Sequence, residues 1–281
     1  MNNCPVDIEK IYGDYIALKN EENYLERYKG KEKWYHGSGA GSCSRKLYYE
    51  SIEQAKVTNP TDDRSNRVLR LGTIVHEDFE LCIRKLQGSQ TLKEMKSSDT
   101  IYSNTIDSNN IDTIDSEKEN KEKEFEWKFY LEEEILIPEF NVRGFYDLVA
   151  VSNVDGRVIL IDFKTMASFS WSKKFGWKNK DLNPSMHQEL QLATYGIAIK
   201  KTFGRLDGMF LYYYNKDNSR MTSVEVSMDT LKQAENFWTN VNEEHKRGVP
   251  MFAEGISPVQ DWNCKYCRYL DHCNPPFFKR K

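Results

Sequence analysis

Residues 142–165 read VRGFYDLVAVSNVDGRVILIDFKT, and this stretch decides the fold. Asn153-Val154-Asp155-Gly156 is a turn signal between two apolar runs, so a β-hairpin is predicted here. The first strand carries Asp147 soon after Gly144. The second, Val158-Ile159-Leu160-Ile161, is an apolar run ending in Asp162-Phe163-Lys164. Side chains alternate along a strand, so Asp162 and Lys164 share one face while Phe163 points into the core. Two carboxylates can hold a divalent cation, and an amine beside them can orient water or offset developing charge. Phosphodiester hydrolysis needs that set. The plain structural alternative is a surface Asp–Lys pair closing a strand.

The motifs Gly144-x-x-Asp147, Asp162-x-Lys164 and Gln191-x-x-x-Tyr195 follow one another in the chain. In that order they resemble the PD-(D/E)xK nuclease superfamily, and specifically its RecB-like branch. The resemblance implies an α/β fold in which a PD-(D/E)xK nuclease core, a central mixed β-sheet, is flanked by helices. Residues 64–86 have helical period and place Gly72 and His76 on one face. On spacing alone, a single histidine in such a helix is an ordinary hydrogen-bonded residue. A Gly-x-x-x-His helix precedes the acids in the branch, so the resemblance makes His76 a third metal ligand. By the same matching, His76, Asp147, Asp162 and the Phe163 backbone carbonyl hold Mg²⁺ or Mn²⁺, and Lys164 orients the attacking water. Gln191 and Tyr195 then border the catalytic site and contact DNA. Cys82, further along the same helix, is expected in the core.

The chain has 281 residues, 39% of them hydrophobic, with 16 Tyr, 14 Phe and 6 Trp, enough for a substantial core. No run approaches the roughly 20 apolar residues of a membrane helix. MNNCPVDIEK lacks the basic and apolar regions of a signal peptide. The expected location is cytoplasmic, or nuclear or viral for a non-prokaryotic source, with no membrane partner. A net charge of −3 is unlike a typical nucleic-acid binder, but a local basic groove is compatible with an acidic total.

Outside these motifs, residues 5–29 read as a polar, Tyr-rich helix. A second helix starts near Cys43-Ser44-Arg45-Lys46, where Ser42 or Ser44 is a candidate cap. Arg45 and Lys46 are candidate phosphate contacts or a solvated face. Residues 88–124 are rich in Ser, Asn, Asp, Glu and Lys and read as a mobile insertion, followed by a charged strand at 124–130. In Ser168–Lys180, Trp171 and Trp177 alternate with Lys173 and Lys174. This is either a single-strand contact, bases stacking on rings while lysines follow the backbone, or a loop packed on the domain. Asn183 and Pro184 start a helix whose one face carries His187, Gln191 and Tyr195, and His187 is a further candidate DNA contact. A hairpin at 206–227 and a helix at 228–247 follow. One domain is expected: an N-terminal helical part (1–63), a catalytic core (125–247) and a C-terminal part (248–281).

The C-terminal part contains Cys264-x2-Cys267-x5-Cys273. Clustered cysteines in a chain without a signal peptide favour metal over disulfides. Three thiolates leave a tetrahedral or cubane site one ligand short. The branch has one cysteine before its core and three after it, so the resemblance supplies Cys43 and implies a 4Fe–4S cluster clasping the two ends. A zinc site on the same thiolates, or with His272, fits the spacing equally, and Cys4 is a further candidate ligand. The resemblance implies a metal-dependent exonuclease on single-stranded DNA, with 5′→3′ polarity. It is similar to the iron–sulfur nucleases of CRISPR adaptation modules and of recombination, repair or replication machinery. Alternatives are an endonuclease trimming spacer precursors with an integrase partner, and a non-catalytic iron–sulfur DNA-binding module.

Overall fold

The computed structural model describes residues 6–51, 57–87, 126–176, 186–250, 264 and 266–273. The 88–124 segment, Cys4, Trp177 and the 183–185 helix start lie outside the described residues.

Helix α1, Ile8–Tyr28, begins where the Asp7 carboxylate accepts the Lys10 amide at 2.9 Å. Strand β1, Tyr35–His36, and helix α2, Ser44–Ser51, follow. Ser44 is not a cap. It lies inside α2, and its hydroxyl donates to Glu244 at 2.5 Å. Helix α3, Asp63–Gln87, is the helix expected at 64–86, started by Asp62, which accepts from the Ser65 amide at 2.9 Å. Cys82 is exposed on it and not in the core.

The 142–165 stretch is three strands and not two: β4, Val142–Phe145; β5, Leu148–Ser152; and β6, Val158–Met166. Strands β5 and β6 form the antiparallel hairpin, turning at Gly156 with φ +70°. Strand β4 instead pairs with β1 and with β3, Glu134–Ile137, in a separate three-stranded sheet. Tyr146 and Asp147 bridge the two sheets. Asp147 therefore occupies a strand break, where its carboxylate can turn toward β6.

The main sheet has the order β2-β5-β6-β7-β8, with β2 at Trp127–Leu131, β7 at Gly208–Asn215 and β8 at Met221–Val226. Only β6–β7 is parallel, so the sheet is mixed as expected. The crossover between β6 and β7 holds helix α4, Ser168–Phe175, and helix α5, Met186–Phe203. The 168–175 segment is thus a helix and not a loop. Helix α6, Thr230–Lys246, packs on α5.

Even-numbered β6 residues face α5. Leu160 joins Leu192, Met209, Leu211 and Trp238 in the main core, all fully buried. Phe163 faces the other way, into a smaller cluster with Leu131 and Leu148 that Phe79 and Ile83 of α3 cover. Helices on both faces explain why β6 is apolar on both sides until its acid. Among the described residues, no helix is long and apolar enough to cross a membrane.

Candidate active site

A cleft of about 510 Å³ opens between α1, α3 and the ends of β4 and β6. His76, Asp147, Phe163 and Lys164 line it together, although His76 and Asp147 are 71 positions apart in sequence. Asp147 Oδ2 accepts the Phe163 amide at 2.6 Å and stands 3.8 Å from His76 Nδ1. Asp162 lies beneath the cleft floor, 1% exposed, and its Oδ2 is 2.5 Å from Lys164 Nζ. That contact is an ion pair without hydrogen-bond alignment, so Oδ2 is a buried oxygen that receives no donor.

Electrostatics reflect this crowding. Burial, and then the Asp162 charge, push the Asp147 carboxyl well above the ordinary carboxylate range. Burial, and then Lys164, lower His76, which favours the neutral imidazole that ligates metals. Among the described residues, no three His, Cys, Asp or Glu side chains stand grouped as a ready cation cage. The donor chemistry nevertheless fits a divalent ion. Two mutually repelling carboxylates, one with an orphan oxygen, and a neutral imidazole are oxygen and nitrogen donors of the kind a divalent ion takes.

Helix α5 supplies the floor. Lys164 Nζ donates to Gln191 Oε1 at 3.2 Å, and Gln191 Nε2 donates to the Tyr195 hydroxyl at 3.2 Å and reaches Asp162 Oδ1 at 3.5 Å. Gln191 therefore contacts both members of the ion pair. Tyr195 is buried and cannot touch DNA as the motif suggested. Its ring is held between Gly37 and Gly144, where an added Cβ would come within 2.3 Å and 2.8 Å of Cε1. This close approach is why the first motif begins with glycine.

Other candidates lie elsewhere. Trp171 packs against Phe175 at 4.7 Å and on the core, so its ring is turned toward the domain. Lys173 lies over the exposed Phe169 ring at 4.4 Å, and Lys174 sits 4.9 Å from the Tyr213 ring, its pKa lowered by burial. Arg45 donates to the Pro250 carbonyl at 3.0 Å, and Lys46 pairs with Glu50 at 3.3 Å, away from the catalytic cleft.

Lys46 and His187 instead line a second cavity, of about 180 Å³, together with Cys43, Cys264, Cys267 and Cys273. The four cysteines line one space, but among the described residues no three His, Cys, Asp or Glu side chains, these included, stand grouped closely enough to hold a metal ion. Burial raises the Cys267 and Cys273 thiols, and Cys43 raises both further. The cysteine segment is strapped to the N-terminal part: the Thr58 amide donates to the Arg268 carbonyl at 2.9 Å, and Asn59 Nδ2 to the Cys267 carbonyl at 3.1 Å. The His272 ring lies tilted against Tyr49 with centroids 5.7 Å apart.

Sequence reasoning missed Glu132, Glu80 and Arg27, which also line the cleft. Glu132 has φ +53°, a left-handed conformation rare outside glycine and asparagine, and bonds Arg27 at 2.9 Å. Three consecutive glutamates at 132–134 read as an ordinary charged turn, so no sequence signal singled out the first.

The sequence profile of the PD-(D/E)XK nuclease superfamily matches residues 38–274. Two solved structures align with the chain at low similarity. The protein SSO0001 shares 16% identity at a TM-score of 0.49, over 96% of this chain and 98% of its own. A candidate exonuclease from Eubacterium rectale shares 18% identity at a TM-score of 0.31, over 54% of each chain. No curated protein matches the sequence.

Proposed function

This chain belongs to the PD-(D/E)XK nuclease superfamily, and from that premise we propose that it is a metal-dependent exonuclease acting on single-stranded DNA with 5′→3′ polarity. The observation that carries the reading is the Lys164–Asp162 ion pair beside Asp147 and His76 at the floor of an open cleft. When bound, Mg²⁺ or Mn²⁺ supplies Lewis-acid activation of the phosphodiester and its attacking water. Asp147, Asp162, His76 and the Phe163 carbonyl hold the ion. Lys164 orients water toward phosphorus and offsets the charge that develops there. Gln191 holds the Lys164 amine in place through its side-chain oxygen.

The second cavity supports a structural cofactor. Cys43, Cys264, Cys267 and Cys273 bind a 4Fe–4S cluster that ties the C-terminal segment to α2. Its contribution is to the fold, since the cysteines line a cavity separate from the catalytic cleft.

The test uses single strands labelled at the 5′ or 3′ end, with Mn²⁺ or EDTA. Wild type shortens linear strands from the 5′ end only with metal, spares closed circles, and loses cleavage in Asp162→Ala. Full activity in Asp162→Ala refutes the site. Cleaved circles would make the protein an endonuclease.

A further inference from the structure

The catalytic cleft carries two cations that the hydrolytic set does not use, one at each end. Arg27 projects from α1, bonded to Glu132 at 2.9 Å and 4.6 Å above the Phe145 ring. The Glu132 amide donates to the Asp147 carbonyl at 3.3 Å, which fixes Arg27 at the Asp147 end. Lys216 lies in the β7–β8 turn, where its amide donates to the Met166 carbonyl at 2.9 Å, just past Lys164 on β6. Its ammonium donates only weakly to a helix carbonyl, that of Val68, at 3.3 Å. Both side chains line the cleft, and the acids and Lys164 lie between them.

A polyanion crossing such a cleft must pass Glu77, Glu80, Glu132 and Asp147, with Asp162 beneath them, so affinity has to come from cations on either side. Resting on the nuclease reading, we infer that Arg27 and Lys216 are the two phosphate contacts that hold the strand across the catalytic floor. Helix α1 lies outside the superfamily-matched residues. Arg27 offers a planar fork suited to a phosphate, already ordered by its ring and carboxylate neighbours. Glu132 competes for that fork. An arriving phosphate replaces one anion by another, so Glu132 holds Arg27 ready and weakens strand binding in doing so. Lys216 has no such competitor within bonding distance among the described residues, and serves as a point charge.

The test measures binding of a fluorescein-labelled single strand to the full chain by anisotropy in EDTA, across a salt series. In EDTA no cleavage occurs, so the result is separate from the Asp162→Ala cleavage assay. Each phosphate contact contributes about 0.7 to the slope of log K against log salt for single strands. Arg27→Ala and Lys216→Ala should each reduce that slope by about 0.7, and the double variant by about 1.4. Arg27→Lys and Lys216→Arg should keep it. Glu132→Gln should tighten binding more when Arg27 is present than in Arg27→Ala. A slope unchanged in the double variant overturns the inference while leaving the nuclease reading intact. Loss of slope in the charge-keeping variants makes the role structural and overturns it too. Equal tightening by Glu132→Gln in both backgrounds removes the Glu132–Arg27 competition.

Discussion

Lys164 and Asp162 stand two positions apart on β6 and meet as a 2.5 Å ion pair whose carboxylate is 1% exposed. The ammonium occupies the place where a metal-binding acid needs positive charge, so amine and divalent ion compete for one oxygen. Lys164→Met removes the competitor. Mn²⁺ should bind the variant on the order of tenfold more tightly, about 1.4 kcal/mol, as titration calorimetry would show. Cleavage should fall by about 10²–10⁴ because nothing then positions water or offsets charge. Without metal, the variant should lose roughly 3–5 kcal/mol of stability, the cost of leaving one buried charge unpaired. Weaker Mn²⁺ binding in the variant would rule out the competition.

The pH dependence of stability follows from Asp147. Burial and Asp162 raise its folded pKa, so the folded protein keeps a proton that the unfolded chain has released. The stability this group contributes is fully present below the unfolded carboxylate value of about 4 and is lost as pH rises through the folded value. Metal-free thermal unfolding should therefore shift down with rising pH, and Asp147→Asn should flatten that trend. A bound cation needs the ionised acid, so the gain in Tm from Mn²⁺ should grow with pH. His76 acts in the same direction on metal binding. Its pKa is lowered, so the stability of the neutral ring is present above the unfolded value and lost as pH falls through the folded one. A Tm gain from Mn²⁺ that stays constant with pH would contradict this account.

Much of this site was legible because its parts are local. Asp162 and Lys164 are neighbours on one strand, and Gln191 and Tyr195 sit one turn apart on one helix, so residue spacing alone put each pair on a common face. The α3 helix, the β5–β6 and β7–β8 hairpins and α6 came from periodicity and turn residues in the same way. What residue spacing does not reveal is which elements cover which. Nothing in Val142–Phe145 reveals that its partners are β1 and β3, in another sheet. Spacing places Tyr195 on a face with His187 and Gln191 but does not say what covers it. Trp171 and Lys173 alternate as a nucleic-acid contact would, yet a helix there turns Trp171 inward. Arg27 and Glu132 are 105 positions apart, and only the folded chain joins them.

Tyr195 explains two glycines at once. A methyl group at Gly144 or Gly37 would come within 2.8 Å or 2.3 Å of its ring carbon. Gly144→Ala and Gly37→Ala should each cost about 1–3 kcal/mol in denaturant unfolding, as overpacking does. Because the ring hydroxyl receives Gln191, and Gln191 holds Lys164, cleavage should fall further than stability explains. Tyr195→Phe keeps the ring and loses one hydrogen bond, so it should cost only about 0.5–1.5 kcal/mol. An alanine variant with unchanged unfolding and cleavage would show that the ring moves aside freely.

The cysteine cavity gives the last prediction. Cys43 and Cys264 are far apart in sequence, and a cluster bound across them closes a loop of over two hundred residues. By chain-entropy reasoning such a closure stabilises the fold by on the order of 4–5 kcal/mol. Protein prepared without oxygen should therefore be brown, with iron and acid-labile sulfide in equal amounts, and zinc should be absent. Cys43→Ser and Cys273→Ser should lose colour and unfold at lower denaturant, by several kcal/mol. His272→Ala should keep both colour and cluster, since its ring lies tilted against Tyr49 and does not line the cavity. Zinc in place of iron would leave the clasp and overturn the cluster. Unchanged unfolding in Cys43→Ser would overturn the clasp itself, because the N-terminal part would then be held without its thiolate.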